Sequence, residues 1–567
     1  MTKNNYLWTE HYPDGIDWTL DIEPKPVFSM LRETAEKYPS NPAFDFLGKK
    51  NTWRDIYELA QKFAKGLQGM GINKGDKVGI FLPNTPYFLI SYYGILMAGG
   101  TVVNLNPLYA EEELAHLIED SEIETVISVD LKMLHEKMEK MLSATRLNRI
   151  VVCKFTEILP FPKNMLFPIF KCTEMAKIED DKRIVYFNDV TNNDGTFVEP
   201  DVDTQEDIAV IQYTGGTTGK PKGAMLTHKN IYANAVQSQL WFPGVTIGED
   251  RMLGVLPFFH VFAMTVVMNF SVINALEIIA LPRFDLKDAL KAIDKKKPHY
   301  LPAVPAIYNA INTSPLSSKY DLSSIKACIS GGAPLPVEVK RKFEEKTGCI
   351  VIEGYGLTES SPVACGNPVN GENKPGSIGM PIPGTIVEIV DREDKVTPMP
   401  LGERGELCIR GPQVMKGYWN KPDATADTLR DTGEGDMRLH TGDIAIMDED
   451  GYVFIVDRLK DMIITNGYNV YPRNVEEAIY KHPSVEECIV AGLPHEQRGE
   501  IVKAWIKVRE GRELSVPDLK EFLKEKISPM EIPKEIEFRD EPLPKTMIGK
   551  LSRKDIVAEE MEKRGGA

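Results

Sequence analysis

Apolar residues recur at helical spacing early in the chain, as Phe28, Leu31 and Ala35 and then Ile56, Leu59, Phe63 and Leu67, so the pattern predicts helices from Pro26 to Gly71. Beyond Gly71 the period changes. Short runs that are apolar throughout (Val78 to Leu82, Thr101 to Val103, Thr125 to Ile127) alternate with helical stretches through Tyr87 to Ala98 and from Glu111. Strands without a polar face are buried on both sides, and their alternation with helices predicts a parallel, doubly wound α/β sheet. A second series of strands near 252–256, 276–281, 299–304, 325–330 and 349–353 predicts a second α/β subdomain of the same kind. From 384 to 456 short strands between glycine turns predict a small antiparallel, β-rich subdomain. After Arg458 a helix (Asn474 to Tyr480), two strands (Glu487 to Val490, Val502 to Trp505) and a helix (Val516 to Lys526) describe a compact α+β unit.

The segment from 155 to 200 breaks this rhythm. Leu159 to Pro162 and Met165 to Phe170 are apolar yet interrupted by proline, and charged residues follow through Arg183. Two readings stand: an insertion packed on the domain surface, or an apolar patch over 155–170 in peripheral contact with a membrane or an oligomer partner.

Composition narrows the function. A chain of 567 residues is too long for one core. Its net charge of −16, from 67 basic and 83 acidic residues, argues against binding nucleic acid or an anionic surface by bulk charge. Seven scattered cysteines, with no CxxC pair, read as reduced thiols. Met1 to Gly15 contains no apolar signal core, so the expected location is cytoplasmic. The long apolar run Val261 to Leu281 is interrupted by Asn269, Asn274 and Glu277 and reads as consecutive buried elements, not a membrane span.

One stretch organises the chemistry. After the apolar run Ile208 to Ile211 come Tyr213, Thr214, Gly215, Gly216, Thr217, Thr218, Gly219, Lys220, Pro221, Lys222 and Gly223. Glycines let backbone N–H groups approach an anion, threonines add hydroxyls and the two lysines add charge, so the loop is a candidate phosphate cradle. It is not a Walker A loop, because Pro221 follows Lys220. Further on, Gly331-Gly332-Ala333 closes a strand with a turn against which a flat ring could lie. Glu353-Gly354-Tyr355-Gly356-Leu357-Thr358-Glu359 offers an aromatic face, a hydroxyl and a hard carboxylate suited to Mg²⁺. Asp443, at a strand start after Thr441-Gly442, could accept ribose hydroxyls. His260, beside Phe258 and Phe259, is compatible with a packed core as well as with a pocket wall.

Taken together, the loop Tyr213 to Gly223, the Tyr355-Gly356-Leu357-Thr358-Glu359 segment, Thr441-Gly442-Asp443, and Pro544-Lys545 with Gly549-Lys550 resemble the signatures of the AMP-forming adenylating enzymes, which include acyl- and aryl-CoA synthetases, peptide adenylation domains and luciferases. The resemblance spans about Phe28 to Lys554 and is nearest to prokaryotic medium- and long-chain fatty acyl-CoA synthetases. It implies a large N-terminal domain (1–458), a hinge (459–461) at Lys460 and a mobile C-terminal domain (462–567). It implies adenine binding at Gly331 to Ala333, ribose contacts at Asp443 and Arg458, Mg²⁺ at Glu359 with Thr214, and Lys550 as the catalytic cation. His260 would border the carboxylate pocket, with Met264, Val304, Ile307 and Gly331 along an acyl tunnel, and the Gly467 region would line a tunnel for CoA.

The same resemblance implies a two-step ligase: a fatty acid attacks the α-phosphorus of ATP to give an acyl-adenylate and pyrophosphate, and the thiol of CoA then displaces AMP. Phe259-His260 lacks the aspartate with which amino-acid-activating members grip an ammonium, and Ile464 stands where luciferases and plant aryl-CoA ligases tend to carry lysine. Met264 stands where some long-chain members carry a tryptophan gate. Alternatives remain open: a ligase for aromatic or short acids, an acyl-AMP ligase serving a carrier protein, and a non-catalytic acyl- or nucleotide-binding paralogue. Family analogy also allows a homodimer.

Overall fold

A computed structural model describes residues 6–214, 221–465, 468–495, 498–546 and 549–565. Among these, eight strands form one sheet, running in space Gly417–Tyr418, Lys222–Thr227, Ile208–Thr214, Thr101–Asn104, Lys77–Ile80, Thr125–Val129, Arg149–Cys153 and Ile184–Tyr186. The six from Ile208–Thr214 to Ile184–Tyr186 are parallel, in registers such as Val78↔Val102 and Val102↔Val210. The helix Pro86–Met97 is buried on every side, which its all-round apolar sequence requires.

A second sheet holds Arg251–Gly254 and Glu277–Ala280, and it takes in two strands from the chain's beginning, Pro42–Phe46 and Lys49–Thr52. The helices expected over 26–71 form at Phe28–Lys37 and Trp53–Gly69, but they flank a β-hairpin that the helical pattern did not show. Its turn places Leu47 and Gly48 at φ 53° and 104°, and Phe44 and Phe46 are buried. The sheet continues through Tyr300 to Ala327–Ser330 and Ile350–Gly356. A regular strand over 299–304 does not form; Tyr300 and Ala303 make isolated bridges only. Pro298, Pro302 and Pro305 remove the N–H donors a ladder needs. Val261 to Leu281 folds as helical turns, with a buried π-helical stretch at Met264–Asn269, and then the strand Glu277–Ala280.

Five antiparallel strands fill the glycine-rich stretch before Arg458: Ile386–Val390, Gly405–Arg410, Leu429–Asp431, Met437–Met447 and Val453–Arg458. Beyond Ile463 the chain builds another five-stranded sheet, from Ile463–Thr465, Tyr468–Val470, Val485–His495, Gly499–Val508 and Glu535–Arg539. It packs a core of Val475, Ile479, Val502 and Leu519 on one face, distinct from the large core that runs from Trp8 to Val453. On the other face, Ile556 of the helix Arg553–Gly565 joins Trp505 and Leu543. Among the described residues no helix is long and apolar enough to cross a membrane.

Candidate active site

A cleft of about 2220 Å³ opens between the large core and the C-terminal sheet, and residues of both line it. The strands Ile208–Thr214 and Lys222–Thr227 pair antiparallel, and Thr214 at the end of the first lines the cleft. The loop residues Gly215, Gly216, Thr217, Thr218, Gly219 and Lys220, like Gly467, lie outside the described residues. At its two ends, Thr214 Oγ1 approaches the Lys222 carbonyl at 3.4 Å, and the Lys222 ammonium sits 4.9 Å from the ring centroid of Tyr418. The Tyr418 hydroxyl donates to Glu359 Oε1 at 2.6 Å. Glu359 occupies a short 3₁₀ turn, Thr358–Ser360, that packs against both hairpin strands. Its carboxylate is thus held at the root of the glycine loop.

Tyr355 and Asp443 are joined by a hydrogen bond of 2.5 Å from the tyrosine hydroxyl to Oδ2, while Asp443 Oδ1 meets Arg458 Nε at 3.2 Å. Asp443 and Arg458 also face each other across neighbouring strands, so sheet register fixes their pairing. A further layer holds Asp443 from behind. Glu406 accepts from Gly442 N–H at 3.1 Å through Oε1 and pairs with His440 Nδ1 at 3.1 Å through Oε2. Gly442 has φ 72°, a left-handed conformation that favours glycine. Cys408, 3.3 Å from the same His440 nitrogen, is buried, and burial pushes its thiol well above the ordinary range.

Gly331 and Gly332 turn the strand Ala327–Ser330 out under Phe262: a Cβ at Gly331 would lie 3.1 Å from the Phe262 ring. Gly356 is as constrained, since a Cβ there would fall 2.0 Å from the Pro362 carbonyl oxygen. Glu353 is buried and accepts from Leu335 N–H at 3.1 Å, so it pins the turn after Ala333. Burial lifts its carboxyl to about 7, partly opposed by Arg473.

Lys550 reaches this cleft from the C-terminal end of the chain. Gly549 beside it, at φ 81°, packs on Val304, and Thr546 ties the turn through its carbonyl to Gly549 N–H at 2.8 Å. Burial and then the neighbouring Arg458 push the lysine down to about 8. His260 is pushed down to about 4 by burial and then by the charge of Lys550, so its ring is neutral near pH 7. Its Nδ1 accepts from Phe262 N–H at 3.3 Å, which leaves the proton on Nε2. Lys460, in the turn after Arg458, is lowered by burial and then by Arg458.

Of the sequence-predicted acyl-pocket residues, Gly331 lines the cleft but Met264, Val304 and Ile307 do not. Met264 is fully buried in the π-helical stretch, its sulfur 3.5 Å from Asn104 Nδ2; Val304 packs beneath Gly549; and Ile307 is buried on the helix Pro305–Thr313. The large apolar side chains that do line the cleft include Trp241, Phe242, Phe262, Val266 and Phe270. Trp241 Nε1 is satisfied by the Asn367 carbonyl at 3.2 Å, leaving a hydrophobic face for the cleft.

Two family models match the chain. The model of the AMP-binding enzymes matches residues 31–419, and that of the AMP-binding enzyme C-terminal domain matches 474–550. The chain belongs to the AMP-binding enzyme family. Similar relatives include a long-chain-fatty-acid–CoA ligase of Bacillus subtilis, 45% identical over 98% of both chains, and one of Yersinia pestis, 36% identical over 98% of both. Among solved structures, ATP-bound MatB from Rhodopseudomonas palustris is similar with a TM-score of 0.82 and 27% identity, covering 95% of this chain and 99% of that one.

Sequence reading of this AMP-binding enzyme overlooked Tyr418, Glu406 and Arg553. Tyr418 stands between Gly417 and Trp419, and only the antiparallel pairing of Gly417–Tyr418 with Met225 and Ala224 brings it to Glu359. If the lysine cation is what the site uses, kcat/KM for pyrophosphate release in this AMP-binding enzyme should fall about tenfold per pH unit above about 8, as the free ammonium is lost. Lys550→Arg should flatten that limb while lowering the plateau; an alkaline limb unchanged in that variant would assign the titration to another group.

Proposed function

We propose that the chain is an ATP-dependent, AMP-forming fatty acid–CoA ligase for long or medium acyl chains. The observation that carries the catalytic part is the seat of Lys550 beside Arg458 and Asp443, which places a partly desolvated cation in the cleft shared by Glu359 and the glycine hairpin. The apolar side chains of Trp241, Phe242, Val266 and Phe270 in the cleft lining support an acyl chain as substrate, in keeping with the ligases named above.

In this reading the acid's carboxylate, near neutral His260, attacks the α-phosphorus of ATP, and the bond to the β-phosphate breaks to release pyrophosphate. Asp443 and Arg458 hold the ribose, Gly331 to Ala333 and Tyr355 flank the adenine, and Lys550 meets charge that gathers on the α-phosphoryl oxygens. Glu359, with Thr214, would hold Mg²⁺ among phosphate oxygens; a hard carboxylate oriented by Tyr418 at the loop root fits that ion, which would offset triphosphate charge when bound. The CoA sulfur then attacks the acyl carbon, AMP leaves and the thiol proton passes to solvent. Movement about Lys460 would withdraw Lys550 between the two steps.

The test is pyrophosphate release with ATP and Mg²⁺ over saturated fatty acids of graded length, benzoate, cinnamate and amino acids, each with and without CoA. Release that depends on fatty acids and yields acyl-CoA supports the proposal. Release only with aromatic acids, or adenylate formed but never passed to CoA, would replace it with the aryl-ligase or acyl-AMP-ligase reading.

A further inference from the structure

The large apolar side chains that this protein exposes are mostly scattered, but five fall on one short element: Phe161 (78% exposed), Met165 (62%), Leu166 (42%), Ile169 (68%) and Phe170 (75%). Four of them belong to the helix Lys163–Phe170, none of whose side chains is buried. Met165 and Ile169 lie one turn apart, and Leu166 and Phe170 one turn apart on the adjacent row, so the four make one face. Phe167 points the other way and packs on Phe155, with ring centroids 5.1 Å apart. The outward side chains project; they do not line a groove.

The charge beside this face is specific. Between Pro160 and Lys171 there is no acidic residue. The Lys163 ammonium donates to the Leu47 carbonyl at 3.2 Å, and Lys49, two residues on, donates to the Glu157 carbonyl. Among the described residues neither lysine pairs with a carboxylate, whereas Lys50 is paired with Glu277 and Lys171 with Glu174. The turn that carries Lys49 touches the patch, since a Cβ at Gly48 would sit 3.8 Å from Pro160 Cγ. Two cations with uncompensated charge therefore border an apolar face on a chain whose net charge is −16.

We infer that this face docks on an anionic lipid bilayer, with Phe161, Met165, Ile169 and Phe170 entering the boundary between headgroups and acyl chains and Lys49 and Lys163 meeting lipid phosphates. Projecting aromatic and aliphatic side chains with adjacent lysines suit a deformable surface, because each apolar group finds its own depth while the ammoniums stay at headgroup level. The Debye length at physiological salt is about 8 Å, so repulsion from acidic residues farther away than that is screened while the local contact is not. The contact selects one orientation of the enzyme on the bilayer. It rests on the patch itself and does not depend on which acid the cleft accepts.

Flotation of the full-length protein with vesicles of phosphatidylcholine, with and without phosphatidylglycerol, tests it. Wild type should partition to the anionic vesicles about tenfold more strongly than Ile169→Asp/Phe170→Asp. Lys49→Glu/Lys163→Glu should abolish the preference for phosphatidylglycerol. Cys172, the one exposed cysteine of the seven, lies two residues beyond Phe170, and an environment-sensitive dye there should shift to the blue on binding. Unchanged pyrophosphate release with a soluble acid would show that the patch variants are folded, and keeps the outcome separate from the ligase reading. Equal vesicle binding by wild type and the Ile169→Asp/Phe170→Asp variant, or no binding by wild type, overturns the inference. So does a wild-type dimer in size exclusion that those substitutions dissociate without any vesicle binding, which would assign the face to a second copy.

Discussion

Lys550→Ala should lower acid-dependent pyrophosphate release by about 10²- to 10³-fold, the range for loss of one preorganised electrostatic contact in a water-poor site, while the Kd for ATP changes by less than a few-fold. The asymmetry comes from where the lysine sits. Its ammonium is held against Arg458 at the cost of burial, which is why it is pushed down to about 8. In the proposed mechanism, contacts to bound ATP would be shared among the glycine-rich segment, Asp443 and Arg458, but the extra charge on the α-phosphoryl group exists only as the new bond forms, and only then would the lysine gain most. Calorimetric titration with ATP, run beside a pyrophosphate assay, separates the two. Chemically supplied acyl-adenylate should still be converted to acyl-CoA by the variant. A loss of ATP affinity as large as the loss of rate would assign Lys550 to ground-state binding instead.

The motifs that the proposal places around this lysine stand out in sequence because they are short contiguous segments with demanding local geometry. Gly356 cannot bear a Cβ against Pro362, and Gly442 needs a left-handed turn, so the sequence around each is narrowly constrained. The alternation of apolar strands and helices likewise announced the parallel sheet from Lys77 onward. What stayed hidden depends on pairing over long separations. The strand Pro42–Phe46 is specified by its partner Glu277–Ala280, far along the chain, and locally looks like a gap between helices. Residues 299–304 carry strand-like side chains, but Pro302 within the segment and Pro298 and Pro305 beside it limit the pairing to isolated bridges. Met264 was placed by its position in the family resemblance, yet it is buried in the π-helical stretch with its sulfur on Asn104, while Trp241 and Phe270, which no motif marks, line the cleft. Glu406 is invisible for the same reason: its partners Gly442 and His440 arrive by antiparallel register.

Arg553 has the most consequential set of such long-range partners. It stands three residues beyond Lys550, at the start of the helix Arg553–Gly565. Its guanidinium meets Glu476 at 2.6 Å, Asp461 at 3.0 Å and Asp457 at 3.8 Å, and Nε donates to the Val490 carbonyl at 3.1 Å. Asp457 in turn accepts from the N–H groups of Arg458 and Arg473. One cation thus ties the lysine loop to both sides of the proposed hinge. Burial raises Glu476 and Asp457 above the usual carboxylate range, and in each the charge of Arg553 is the largest opposing influence. Arg553→Leu would strand these acids, and breaking a buried ion pair from one side costs about 3–5 kcal/mol. That loss should be full at pH 8, where the stranded carboxylates must stay ionised, and should shrink toward pH 5 as they take up protons and neutralise. Because the same cation holds the helix that follows Lys550, pyrophosphate release should fall with stability, and Arg553→Lys should recover part of both by restoring charge without the fork geometry. Thermal unfolding at the two pH values, read beside the pyrophosphate assay, decides the matter: a penalty equal at both would mean the arginine contributes packing, and full activity in Arg553→Leu would mean that Lys550 is seated without it.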